Sequence, residues 1–260
     1  MSQATEASTL LEGALGGLTV EDAMHAGVIS CPPATTLRAA ARMLSTYRVH
    51  AVMVVPRHHA DAGHVAADSG VAIDVHTHWF PQAFLDLISK HGAEHGVEWK
   101  EVEGKGPQFK VGHLMTGPVG PNFMDLDARL AMMDAQGVAA HAVSLSQPHV
   151  YWAGRTLGEK LAAVYNEELA RMHEHAPQRL FGLAALPMHE PDLAVKEVDR
   201  AAKLAGMRGF YLSTVVNDKE LSDPSFFPIY ERIEALGLPI FLHPIFVIAA
   251  KRLEKFYLTN

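Results

Sequence analysis

The rhythm of apolar and polar positions changes near residue 70. Before that point a turn-rich entry leads into a helical pattern around Leu37–Tyr47, followed by a short apolar strand at Ala51–Val55. Residues 56–70, "PRHHADAGHVAADSG", are small, polar and aperiodic, and read as a linker. Their His58, His59 and His64 sit on no rigid element, so a solvated linker is preferred to a metal-binding tract. Residues 1–17 are assigned to a disordered tail.

After the seam, strand-like and helical patterns alternate. Val71–Val75 is a short β run, and Pro81–His91 is helical with proline at its start. Residues 96–123 are irregular, with Gly and Pro breaking any long element. "DLDARLAMMDAQG" has helical spacing and a closing glycine. The strand "VAAHAVSLS", a long helix over Thr156–His175 and the strand "LFGLAALP" come next. A helix over Pro191–Leu204, the strand "MRGFYLS", a helix over Phe226–Leu236 and the strand "LPIFLH" complete the series. Apolar strands alternating with helices predict an α/β fold, a parallel sheet covered by helices.

Composition narrows this only a little. The chain has 260 residues, 48% hydrophobic and 20% charged, enough to bury a substantial core in one domain or two. A net charge of −7 with scattered Lys and Arg argues against a nucleic-acid or anionic-membrane surface. The single Cys31 forms no internal disulfide and suits a reducing compartment. The N-terminal stretch lacks the pattern of a signal peptide, and no apolar run reaches membrane-spanning length. A soluble cytoplasmic protein is expected.

Histidine is where chemistry enters. With 16 His in 260 residues, a His-x-His pattern arises by chance about once, and "VAIDVHTHWF" has one such pair in His76 and His78. A second copy, His173-Glu-His175, shows how little the bare pattern means. Context gives the first copy its weight. Residues i and i+2 of a strand share a face, so His76 and His78 can converge at the C-terminal end of the first barrel-like strand. His243 ends the fifth strand, and strand ends are where parallel α/β barrels build their sites. Three neutral imidazoles make a plausible set for Zn²⁺ or a similar divalent metal. Asp74 either orients one of these ligands or caps the loop beyond it. Trp79, Phe80 and Trp152 are candidates for pocket walls, with ordinary packing as the competing explanation.

Two resemblances add to this reading. "TVEDAM", "VISCPPATTLRAAARML" and "YRVHAVMVV" resemble the first part of a CBS motif, a module that usually occurs in pairs and can bind adenine nucleotides. Its closing strand and helix are not recognisable, so residues 18–55 are expected to be a small partial α/β module without a nucleotide pocket. "IDVHTHWFP", "VSLSQPHVYWAG", "YNEELA", "FGLAALPMHEPDLAVKEVDRA" and "VNDKELSDPSFFPIYERIEALGLPIFLHP" resemble the aminocarboxymuconate-semialdehyde decarboxylase branch of the amidohydrolase superfamily. That resemblance, over residues 71–260, implies a (β/α)₈ TIM-type barrel, usually homodimeric, with one divalent metal held by His76, His78 and His243. It implies non-oxidative decarboxylation of an aromatic or muconate-type carboxylic acid. A hydrolase of C–N or C–O bonds and a non-catalytic CBS–barrel hybrid are the alternatives.

About five strand–helix units are counted where the resemblance implies eight. The proton-transferring histidine of the sixth strand and the metal-binding aspartate of the eighth have no position in the sequence. The catalytic residues are therefore unassigned, and the 260 residues alone are expected to bind metal weakly and to be inactive. The family's substrate-gripping arginine is unmatched as well, with His113 the nearest basic candidate.

Overall fold

Short apolar strands and amphipathic helices alternate through the part of the chain that carries the candidate histidines. A computed structural model describes residues 30–31, 53–54 and 72–243. The chain divides into two units, Met1–Gly70 and Val71–Asn260. In the first, β1 (Ser30–Cys31) pairs in parallel with β2 (Met53–Val54). The tail, the linker, the helix over Leu37–Tyr47 and the rest of the CBS-like segment lie outside the described residues.

The second unit begins with β3 (Ala72–His78) and α1 (Gln82–His91). β4 (Val97–Val102), β5 (Gly106–Val111) and β6 (Leu114–Met115) follow, then α2 (Leu126–Gln136) and β7 (Val138–Ser144). Next come α3 (Arg155–His175), β8 (Leu180–Ala184), α4 (Pro191–Ala201) and β9 (Met207–Ser213). A small antiparallel pair, β10 (Val215–Val216) with β11 (Lys219–Glu220), precedes α5 (Phe227–Ala235) and β12 (Ile240–His243).

Local chemistry sets these boundaries. Asp125 caps α2 by accepting from the backbone N–H groups of Asp127 and Ala128 at 2.9 and 3.0 Å. Gly137 closes α2 at φ 70°, a left-handed conformation that suits glycine. Along α3, Leu157, Leu161, Tyr165, Leu169 and Met172 recur every three or four residues and are all buried. That stripe packs the helix onto the sheet.

The main sheet is parallel, with strand order β12-β9-β8-β7-β3. Each new strand is added beside the last, which is barrel winding rather than winding in two directions. Flat strands at about 4.8 Å spacing would put β3 and β12 roughly 19 Å apart. Yet the rings of His76 on β3 and His243 on β12 have centroids 5.2 Å apart. Two imidazole side chains cannot bridge the difference, so the sheet curls strongly. The five strands form an α/β half-barrel whose first and last strands converge at their C-terminal ends.

Residues 96–123 differ from the expectation of an irregular stretch. They contain a three-stranded antiparallel sheet, β4-β5-β6, paired from Val97 opposite Val111 to Val102 opposite Gly106. Gly106 has φ 91°, and a Cβ there would lie 2.4 Å from the Val119 carbonyl oxygen, so the close approach of the next segment requires glycine. Among the described residues, no helix is long and apolar enough to cross a membrane.

Candidate metal centre

The first histidine pair lies at an irregularity in β3. Asp74 pairs with His141 and Thr77 with Val143, so β3 uses one residue more than β7 and bulges at Val75–His76. Asp74 Oδ1 accepts the His76 backbone N–H at 2.9 Å. Its carboxylate is therefore engaged with the local backbone, and it is exposed. Beyond the bulge, two contacts fix the strand end. The Arg129 guanidinium donates to the His78 carbonyl oxygen, and the Trp79 backbone N–H donates to Ser144 O at 3.3 Å. Arg129 is buried and also donates to His141 Nδ1 at 3.3 Å, so His141 keeps its proton on Nε2.

His243 reaches the same place from β12, where it pairs with Ser213 of β9. The three rings have centroids 5.1 Å (His76–His78), 5.2 Å (His76–His243) and 5.4 Å (His78–His243) apart. One ligand nitrogen from each lies within 4.8 Å of the others. A cluster of this size can hold a divalent ion: nitrogens at about 2.0–2.1 Å from zinc need only a modest contraction.

The protonation chemistry fits as well. His78 is pushed down to about 4, first by burial and then by the neighbouring His243 and His76, so it is neutral at pH 7. Its tautomer follows from Ser144. The Ser144 hydroxyl donates to Thr77 O at 3.2 Å, so it accepts from His78 Nδ1 at 3.1 Å. The Nε2 lone pair of His78 is thereby left for a metal.

A cavity of about 270 Å³ adjoins His243. Phe80, Met115, Pro118 and Phe123 give it apolar walls, and Thr116, Ser146 and Gln147 give it polar ones. Of the three predicted wall residues, Phe80 lines this cavity. Trp79 is buried with its indole N–H donating to Met124 O at 2.8 Å. Trp152 donates to His149 O at 2.9 Å and faces His95, with ring centroids 6.4 Å apart. Neither tryptophan lines the cavity. His113 is exposed between β5 and β6.

Four residues of the site went unread in the sequence: Ser144, Arg129, Tyr211 and His149. Tyr211 lies 5.9 Å from His78 and 5.5 Å from His243 between ring centroids, and burial pushes its phenol up to about 12. His149 is stacked on Tyr151 and lies 6.0 Å from His243. Burial, then His243 and His78, pushes it down to about 3. Alternation along "MRGFYLS" was the available signal for Tyr211, which stands two residues before the register partner of His243. His149 sits in a loop at φ 55°, where no periodicity applies.

A curled parallel sheet with clustered histidines at the strand ends defines a barrel-type α/β protein with a candidate metal site. The profile of the amidohydrolase family matches residues 73–256, and the chain belongs to that family. It is 28% identical over 187 residues to 2-amino-3-carboxymuconate-6-semialdehyde decarboxylase of Dictyostelium discoideum, covering 72% of this chain and 52% of that protein. It is 33% identical over 125 residues to gamma-resorcylate decarboxylase of Polaromonas sp., covering 45% of this chain and 38% of that protein. The chain thus spans about half or less of the length of these curated relatives. Among solved structures, 5-carboxyvanillate decarboxylase of Novosphingobium aromaticivorans shares the fold, with a TM-score of 0.55 and 17% identity. That alignment covers 73% of this chain and 55% of that one, and the crystal holds manganese and 4-hydroxy-3-methoxy-5-nitrobenzoic acid.

Proposed function

We propose that these residues form the metal-binding side of a carboxy-lyase site, which removes CO₂ without oxidation from a small aromatic or muconate-type carboxylic acid. The observation that carries this reading is the convergence of His76, His78 and His243 beside the 270 Å³ cavity. Decarboxylase relatives, one of them holding manganese and a nitrobenzoic acid, support the reaction class. A cytoplasmic homodimer is part of the same reading. Three imidazoles suit zinc, and manganese in the solved relative makes it the alternative ion.

A divalent ion bound there supplies a Lewis acid that draws electron density from an oxygen of the acid. This chain's own residues would hold the ion and receive the acid. His78 and Ser144 keep one lone pair directed outward, Phe80 and Phe123 offer apolar surface to a ring, and Ser146 and Gln147 offer hydrogen bonds to its substituents. In decarboxylation the bond to CO₂ breaks, its electron pair stays on carbon, and that carbon then takes a proton.

The test loads the protein with Zn²⁺ or Mn²⁺ and follows CO₂ release from 2-hydroxybenzoate and muconate-type acids, with amides and lactones alongside. One ion per chain is expected, with at least a hundredfold weaker binding in His243→Ala, about 2.7 kcal/mol. Any CO₂ release should depend on that ion. Cleavage of the amide or lactone in place of CO₂ release would move the reading to a hydrolase, and undiminished metal affinity in His243→Ala would remove its foundation.

A further inference from the structure

Two buried polar side chains beside the histidine cluster end in atoms that no well-formed hydrogen bond ties to the fold. Tyr211 is 3% exposed, and its hydroxyl faces that of Ser144 without a well-formed hydrogen bond. His149 is also 3% exposed, and its Nε2 has none either. Their ring centroids are 6.0 Å apart, and both rings lie against His243, at 5.5 and 6.0 Å. They come from different elements, Tyr211 from the middle of β9 and His149 from the loop after β7.

A buried hydroxyl or ring nitrogen gives up its water and recovers the loss only through a partner. Ser144, which the Tyr211 hydroxyl faces, shows what a satisfied group looks like on the same curled sheet, since its hydroxyl donates to Thr77 O and accepts from His78. His149 Nε2 without a partner and a phenol only loosely met, both beside the candidate ligands, therefore point to an atom that arrives with a bound molecule. The phenol offers a proton, Nε2 can offer another, and an oxygen carrying negative charge can accept both.

We infer that Tyr211 and His149 bind the substrate, holding one oxygen of the small carboxylic acid beside the three histidines while its body occupies the cavity that His243 lines. The inference rests on the preceding reading that the cluster holds a divalent ion. It makes the clamp neutral, a phenol and an imidazole in place of a guanidinium. Such a pair suits an oxygen whose charge is already shared with a cation, and it discriminates by hydrogen-bond geometry more than by charge.

The test measures Mn²⁺ affinity by equilibrium dialysis, and salicylate and benzoate affinity by calorimetry on the Mn²⁺-loaded protein. Wild type is compared with Tyr211→Phe and His149→Asn, the latter because asparagine tolerates the positive φ of residue 149. Both variants should hold Mn²⁺ within twofold of wild type and lose at least tenfold in salicylate affinity. Ligand-free Tyr211→Phe should melt at the wild-type temperature or above it, because the hydroxyl it removes makes no well-formed hydrogen bond. A lower melting temperature would assign the phenol to the fold and overturn the inference. A protein that binds Mn²⁺ but whose salicylate affinity ignores both substitutions would overturn the inference alone. A wild-type protein that binds no Mn²⁺ would overturn it together with the metal reading.

Discussion

Two buried polar regions of the half-barrel are built on opposite rules. Between α3, α4 and the exit of β8, Asn166 donates to Ala185 O at 2.8 Å and to Glu197 Oε1 at 2.6 Å, and accepts from Ala185 N at 2.8 Å. Arg200 closes the group, donating to both Glu197 oxygens at 2.8 Å, to Ala163 O at 2.9 Å and to Glu167 at 3.0 Å. Across the sheet, at the histidine cluster, His149 Nε2 and Thr77 Oγ1 are equally secluded and make no hydrogen bonds, and the Tyr211 hydroxyl only faces that of Ser144. The first region spends its polar atoms on the chain itself, tying helices to a strand exit. The second keeps some of them open. The difference separates groups that hold the fold from groups that await something else.

Breaking the closed region should have the largest effect. Asn166→Leu leaves the Ala185 amide and carbonyl without partners and removes a donor from buried Glu197. A loss of about 3–5 kcal/mol is expected, from two orphaned backbone groups and a weakened buried carboxylate. Urea denaturation reads it. The fraction still folded should bind metal as before, and a loss under about 1 kcal/mol would erase the contrast between the regions.

Acid should act next, mostly through the open region. His78 and His149 are lowered to about 4 and about 3, and burial, with Arg129 beside it, lowers buried His141 too. Folded values lie below the unfolded value near 6.5, so on acidification the unfolded chain takes protons that the native one refuses. This contribution is complete above about pH 6.5 and is lost as pH falls toward 4 and 3. From pH 6.5 to 5.5 the metal-free protein should lose about 2 kcal/mol by urea denaturation, somewhat under one unit's worth for each of His78 and His149. Stability that is flat or rising over that interval would contradict the secluded, neutral state of these rings.

Most of the fold was legible because its signals are periodic and local. "DLDARLAMMDAQG" carries its own cap and stop, and "MRGFYLS" coincides with β9. Residues 96–123 were misjudged because their turns hide short strands: "VEWKEV" alternates, but Gly104, Gly106 and Gly112, all at positive φ, looked like breakage rather than hairpin corners. Those strands lead into the Met115–Val119 segment that walls the cavity, so the error also concealed part of the site. The His76, His78 and His243 cluster was readable from strand ends, since a barrel reading already gathers the C-terminal ends of its strands. Ser144, Tyr211 and His149 were not. Their roles depend on how far the sheet curls, and no window of sequence reports curvature.

The smallest expected effect is also the finest test of the contrast, because Ser144 belongs to both kinds of region. Its hydroxyl is fully used, as in the Asn166 group, yet one of its partners is a candidate ligand. By donating to Thr77 O it is left only able to accept from His78, and this fixes the His78 proton on Nδ1. Ser144→Ala frees the imidazole to carry its proton on Nε2, the nitrogen that would meet the ion, and to turn about its own bond. Metal affinity should fall about tenfold, near 1.4 kcal/mol, the lower end for groups that orient a metal-binding histidine. Thr77 O also loses a partner, so stability should drop by about 1 kcal/mol. Tyr211→Phe, a few ångströms away, should give the reverse pattern, with metal affinity untouched and stability kept. If Ser144→Ala leaves metal affinity unchanged, His78 takes its orientation from β3 and Arg129 alone, and the serine belongs with the groups that merely hold the fold.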